Sequence, residues 1–300
     1  MSVFLDRARL GVIIALISAL TLAINDVSVP FSYERGFNPP TVVLIRYLFL
    51  VLALAILLPL MNHPLRLPAG AVGHAMGSGV CASLGTLGLL GSFAYIPVSL
   101  AVVVLYIFPF LTALMEAIYR RQVPTPIELA CPLVALLGIG MAIGLEPQAL
   151  DPRGLLLAAL SAVGYAASFF WNSIALRDHD GTTVTFYIAS AGVIIVSAYV
   201  FTIHGFASAP FSLDGWLPVL FTSLFFTIAC VCMFKSVELS GGPTAAMVLN
   251  LEPIFVVLLA GLFLAESWTW SRVLGCLLVV AAVITAEIWR TTRAPKPALT

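Results

Sequence analysis

Residues 98–118 read VSLAVVVLYIFPFLTALMEAI, and residues 242–262 read GPTAAMVLNLEPIFVVLLAGL. Each is an apolar run of spanning length with a proline in its middle, and the two prolines, Pro109 and Pro253, lie 144 positions apart. The same offset sets Ala101 on Ala245, Leu105 on Leu249 and Leu114 on Leu258. Earlier in the chain an offset of 143 sets Gly11 on Gly154, Ala15 on Ala158, Ser18 on Ser161, Ala19 on Ala162 and Ala23 on Ala166. A slip of one residue between the two blocks is what a loop insertion leaves. The second half of the chain repeats the first.

Working outward from these runs, a helix that crosses a bilayer needs about 20 mostly apolar residues. The first half offers five such segments, roughly 10–29, 40–61, 72–95, 98–118 and 127–145. The second offers five more, roughly 154–176, 183–205, 216–236, 244–264 and 271–289. An odd number per half makes the second half enter the membrane from the opposite side. The sequence thus predicts an all-α integral membrane protein of ten transmembrane helices, arranged as two inverted five-helix repeats, 1–148 and 149–290. Residues 291–300, with Pro295 and Pro297, read as a disordered cytoplasmic tail. Inverted repeats are the mark of carriers with a site at the interface of the halves.

Composition agrees. Charged residues are 9% of the 300, hydrophobic residues 61%, and mean hydropathy is +1.09. A soluble domain carries about 25% charge. Long apolar runs without polar alternation exclude a β-barrel. The formal net charge of zero gives nucleic acid no electrostatic purchase. Cys81, Cys131, Cys230, Cys232 and Cys276 all fall in apolar segments without metal-ligand spacing, and His63, His74, His179 and His204 are scattered. No cofactor or metal is expected. Although Arg7 and Arg9 precede an apolar stretch, as in a cleaved signal peptide, that stretch supplies the first helix of the repeat.

Charge also sets the expected orientation. With the N-terminus in the cytoplasm, Arg7, Arg9, Arg66, Arg120, Arg121, Arg177, Lys235, Arg290, Arg293 and Lys296 all fall on the cytoplasmic side. Arg35, Arg153 and Arg272 fall outside. This bias places both termini in the cytoplasm; the expected location is the plasma (bacterial inner) membrane.

The candidate site is built from residues that do not belong in a bilayer. Arg46 lies about 9 Å into helix 2, counted from Pro40 at 1.5 Å per residue. A guanidinium at such a depth is costly and faces the bundle interior. It reads either as a carboxylate-binding or gating arginine, or as an anchor bonded to backbone carbonyls or to Asp26. Asn25 and Asp26 fall near the same side of the membrane, where Asp26 could neutralise Arg46 and either could change partner when substrate or a proton arrives. Asn250 and Glu252 precede Pro253, whose missing N–H frees a carbonyl near Leu249, and Pro109 does the same near Leu105. Two proline-interrupted helices at matching positions point to hinges around a midplane site. Glu252 reads as the proton carrier, or as a structural glutamate that never titrates. Tyr106 and Phe110 share a helix face, as do Tyr165 and Phe169, and with Tyr95, Phe170, Trp171 and Tyr187 they line a cavity or simply pack. Asn172 beside Trp171 suits a polar cavity edge. Gly73, Gly77, Cys81 and Gly85, with Gly88 and Gly91, form a small-residue stripe for close helix contact.

The chain resembles the EamA-like family of the drug/metabolite transporter superfamily. The resemblance spans about residues 6–290 and rests on Gly11 through Ala19, on Asn38-Pro39 with Arg46, and on Pro97-Val98-Ser99-Leu100-Ala101 leading to Pro109. It rests further on Gly242-Pro243-Thr244-Ala245-Ala246 leading to Glu252-Pro253, and on Glu266-Ser267-Trp268 after helix 9. It implies an export carrier working by alternating access, and within the family the chain looks like the aromatic and neutral amino-acid exporters. It departs from them where Ile24-Asn25-Asp26 replaces a tryptophan late in helix 1, and where the second half has no arginine to match Arg46.

The expected function is therefore a secondary carrier for a small metabolite, in contact with lipid, acting as a monomer or weak homodimer, with proton coupling as one reading. The alternative cargo is a nucleotide sugar, organic phosphate or drug. An intramembrane enzyme is a weaker reading, because neither a G-x-S-x-G motif nor a histidine-based metal motif is present.

Overall fold

The structure is a computed structural model that describes residues 2–121, 125–143, 151–204, 213–266 and 269–293. Among these it is helical, with no strand. The helices are α1 (Ser2–Glu34), α2 (Pro39–Leu60), α3 (Ala69–Ser92), α4 (Val98–Leu105), α5 (Phe108–Tyr119) and α6 (Pro126–Ile143) in the first half. In the second are α7 (Pro152–Ala175), α8 (Gly181–Tyr199, followed by a π turn, Val200–His204), α9 (Leu213–Ser240), α10 (Gly242–Leu249), α11 (Glu252–Phe263) and α12 (Trp270–Arg293).

Eight helical stretches are long and apolar enough to cross a membrane, counting α4 with α5 and α10 with α11 as one each. Two shorter apolar stretches, Ala130–Met141 in α6 and Trp270–Ala286 in α12, lie where the fifth and tenth spans are expected. α12 runs through Arg293, beyond its expected end at 289, and residues 294–300 lie outside the described residues.

Local sequence starts these helices. The Asn38 side chain accepts the Thr41 N–H at 3.0 Å and is followed by two prolines, a cap and a preset first turn for α2. Asp151 caps α7 through Arg153 N at 2.9 Å, with Pro152 behind it. Asp180 caps α8 through Thr183 N at 2.8 Å. The prolines at the centres of the quoted runs interrupt two helices at matching places. α4 and α10 span 98–105 and 242–249, and α5 and α11 span 108–119 and 252–263, so every boundary matches at an offset of 144. The joint residues Tyr106 and Asn250 have similar backbones, φ −67°, ψ 8° and φ −64°, ψ −2°. Past the broken helices, Arg121 and Ala265, again 144 apart, both take φ 53°.

Packing repeats as well. α1 lies along α9, while its counterpart α7 lies along α3. α2 crosses α8, α4 meets α11, and α6 lies along α12. A methyl added at Gly11 would meet Ser240 Cβ at 2.6 Å, and one added at Gly154 would meet Ile96 Cγ2 at 2.6 Å. Residues 96 and 240 are again 144 apart. The glycine stripe of α3 does what its spacing predicts over part of its length: Gly85 and Gly88 abut α7, and Gly77 lies under the Trp171 ring, but Gly73 faces open space.

One of the tightest approaches in this seam is Gly164, where a methyl would sit 2.7 Å from the backbone nitrogen of Gly85. Gly164→Ala should force α3 and α7 apart and cost about 1–3 kcal/mol. A lowered melting temperature of the detergent-purified protein is the expected reading. An unchanged one would show that the seam is slack.

At the end of the bundle that carries Met61 and Ala175, Asp180 ties the α2–α3 connection to α8. His63 Nδ1 lies 2.9 Å from its Oδ1, and the Thr183 hydroxyl lies 2.8 Å from its Oδ2 and 2.6 Å from Pro64 O. Burial pushes the Asp180 carboxyl up, but the Thr183 amide and hydroxyl and His63 outweigh it and hold it below its ordinary 3.8. A depressed acid contributes stability above its unfolded value and loses it as pH falls through the folded one. Asp180→Asn should therefore cost up to about 1 kcal/mol at neutral pH. The difference from the parent should close below pH 3.8 in thermal unfolding.

Candidate functional site

Three charged side chains from three helices meet inside the bundle. Asp26 on α1 is 3% exposed, Arg46 on α2 is 3% exposed, and Glu252 at the start of α11 is 9% exposed. The Asp26 and Glu252 carboxyl groups lie close enough to act on each other electrostatically. Two carboxylates side by side repel, and a proton shared between them would relieve that repulsion. Asn25 Nδ2 donates to Asp26 Oδ1 at 2.8 Å, and Asn25 is held in turn by the Thr222 hydroxyl, 2.8 Å from its Oδ1. Across the centre, Tyr106 OH donates to Glu252 Oε2 at 3.0 Å and lies 3.3 Å from Leu249 O. Leu249 O is the carbonyl that Pro253 leaves without its helical partner.

Arg46 corrects one expectation. Among the described residues no ion pair joins it to Asp26. Its guanidinium carbon lies 3.6 Å from the centroid of the Phe226 ring, and its Nε and Nη1 are buried without a hydrogen-bond partner. The Asp26 carboxyl is already engaged by the Asn25 amide, while the ring face of α9 attracts the cation. Its charge still acts through space on both Asp26 and Glu252. With one proton on the carboxyl pair, the Arg46 guanidinium balances the remaining negative charge and the centre is neutral. It also keeps unused N–H donors, which suit a ligand carboxylate.

The remaining predicted residues divide. Tyr106 belongs to the charged centre. Tyr165 instead closes a hydroxyl chain, Tyr47 OH to Thr86 Oγ1 at 2.8 Å and Thr86 Oγ1 to Tyr165 OH at 2.9 Å, which joins α2, α3 and α7. Phe169, Pro109 and Asn250 line a cavity of about 190 Å³ with Phe108 and Ala246, between α5, α7, α10 and α12. In it Phe108 stacks on Phe169 with ring centroids 5.1 Å apart. Trp171 stands away from the centre, 37% exposed, its Nε1 donating to His74 Nδ1 at 3.2 Å. Asn172 Oδ1 is buried without a partner. A larger groove of about 980 Å³ between α1, α2, α9 and α11 is walled by Ile24, Phe31, Phe49, Phe221 and Phe225, and offers almost nothing to a charge. Among the described residues no cluster of metal-binding side chains occurs.

Sequence reading missed Thr222 and Phe226. They sit four apart with Cys230 on one face of α9, where the only signal is a hydroxyl recurring with a ring at helical spacing. The Glu266-Ser267-Trp268 motif is described only at Glu266, since Ser267 and Trp268 lie outside the described residues.

Apolar helices in two matching sets around one buried charged centre define a multi-pass membrane transporter. The EamA-like transporter family matches residues 9–144 and again residues 152–286, and the chain belongs to that family. It is 26% identical over 193 residues to an uncharacterized transporter of Archaeoglobus fulgidus, covering 64% of this chain and 67% of that one. It is 27% identical over 194 residues to the uncharacterized inner membrane transporter YicL of Salmonella typhimurium, covering 61% of this chain and 62% of that one. The matches thus span about two thirds of the length of these relatives. A crystal structure with 18% identity has a TM-score of 0.63, covering 93% of this chain and 99% of that one, which shows the fold.

Proposed function

We propose that the chain is a secondary carrier that exports small zwitterionic metabolites, above all aromatic and neutral amino acids. It would work by alternating access between two inverted five-helix halves, with both termini in the cytoplasm and the chain in the bacterial inner membrane. The observation that carries this reading is the buried guanidinium of Arg46, with two N–H groups unpartnered among the described residues, in a centre that also buries the carboxyl groups of Asp26 and Glu252. Arg46 receives the substrate carboxylate, and Asp26 and Glu252 face its ammonium. With the shared proton in place, a zwitterion binds without adding net charge to the low-dielectric interior. When that proton leaves, the centre carries one net negative charge and favours a cation. Proton occupancy thus selects the cargo, which is the basis for coupling.

The cavity beside Phe108 and Phe169 supports an aromatic side chain: at about 190 Å³ it exceeds the volume that holds one benzene ring, about 150 Å³. Organic phosphates call for several cationic partners, and the centre has one guanidinium.

The test is counterflow of labelled phenylalanine or tryptophan into liposomes containing the purified protein, competed by a panel of metabolites. Saturable exchange is expected. Uptake of a phosphorylated or drug-like competitor, with no exchange of any amino acid, would overturn the cargo.

A further inference from the structure

We propose that Glu266 is the outer gate of this carrier, and that its carboxylate makes the cytoplasm-facing form the resting one. The proposal rests on the carrier reading above and on the orientation that places the start of α4 outside. α4 begins at Val98 behind Pro97, which provides no side-chain cap, so the first-turn N–H groups need an acceptor from elsewhere. Glu266, from the α11–α12 connection in the other half, supplies it. Val98 N–H donates to Glu266 Oε1 at 2.8 Å, the Ser99 hydroxyl donates to Oε2, and Arg272 Nη1 lies 3.7 Å from Oε2. The Glu266 and Arg272 side chains are only 11% and 17% exposed. Ala265, just before, holds φ 53°, a conformation that costs a non-glycine residue roughly 1–2 kcal/mol, and it turns Glu266 inward.

This contact sits at one end of a short rigid lever. Every residue of α4 is buried, and its far end is Tyr106, which holds Glu252. The gate and the charged centre are therefore joined by one eight-residue helix. A carboxylate on a helix N-terminus is a charge-assisted contact, roughly twice as strong as a neutral one.

The repeat does not copy these residue types to the opposite mouth, where Gln122 lies outside the described residues. The repeat offset of 144 carries Val98, Ser99 and Glu266 onto Gly242, Pro243 and Gln122. Proline has no hydroxyl to donate, and glutamine has no charge. The charged contact is thus present at the outer mouth, and the residue types that make it are not repeated in the other half. A chain so built rests closed to the outside and open to its supply of cytoplasmic cargo.

The experiment places spin labels at Tyr95 and Trp270, which flank the latch, in a variant whose five native cysteines are replaced, and reads their separation by pulsed electron resonance in liposomes. The parent should give one short distance. Glu266→Gln should raise a longer-distance population about tenfold, the effect of losing roughly 1.4 kcal/mol. Adding Gln122→Glu should lengthen it further, and a return to the parent distance would overturn the argument from unequal mouths. A folded Glu266→Gln protein with the parent's distances would overturn the gate itself. If that variant does not fold, Ser99→Ala decides by the same reading, with a smaller shift in the same direction expected. Because the labels report conformation without cargo, a failed counterflow assay would not disturb this result, nor would this result rescue that one.

Discussion

Arg46→Ala exchanges labelled phenylalanine at less than about one thirtieth of the parent rate, while the protein still purifies as a helical monodisperse species. That is the expected result, because the substitution removes the only guanidinium at the centre and leaves the carboxyl pair without its balancing charge. Truncating one partner of a buried charged contact costs binding about 2–5 kcal/mol, a factor of roughly 30 to 5,000. Arg46→Lys separates the two contributions. A lysine keeps the charge but not the planar fork, so it should recover part of the exchange with a raised half-saturation concentration. If Arg46→Ala exchanged phenylalanine normally, Arg46 would be an anchor held by the Phe226 ring, and the site would lie elsewhere, with the Phe108–Phe169 cavity the first place to look.

The second large effect concerns Glu252. Glu252→Gln keeps the shape and the acceptor for Tyr106 OH, 3.0 Å away, but deletes a titratable group. The centre then loses the exchangeable proton that the proposed coupling assigns to the two carboxyl groups. Exchange by the parent should vary with pH between about 5.5 and 8, and the variant should give a flat profile over the same range. A variant that kept the parent's pH dependence would retire Glu252 as the proton carrier. Asp26→Asn provides the matching control, since it deletes the other half of the pair.

Much of this architecture could be read from the chain. The duplication was visible in Pro109 and Pro253, and their helices break at the same relative positions. The caps of α2, α7 and α8 follow from Asn38, Asp151 and Asp180, each directly ahead of its helix. Residue types out of place in lipid marked Asp26, Arg46 and Glu252. Their partners were not legible. Which neighbour takes a buried charge depends on helix rotation and crossing, and these are set by packing over the whole bundle. Hence Arg46 lies on Phe226 instead of pairing with Asp26, and Asp26 meets Glu252 from the far half of the chain. Tyr165 shows the same limit. Its spacing with Phe169 suggested a shared cavity wall, but the Thr86 hydroxyl draws it into a chain across α3.

The matched breaks of α4–α5 and α10–α11 bear on how such a protein changes over generations. The backbone plan is present twice, whereas the chemistry is present once: Glu252 corresponds to Phe108, and Asn250 to Tyr106. Movement depends on what the halves have in common, and recognition on where they differ. Substitutions at the unmatched positions can therefore alter the cargo without disturbing the machine, as a lock is rekeyed without replacing the door. Each such position has a counterpart of similar backbone shape in the other half, a ready place for a charge to be gained when another is lost.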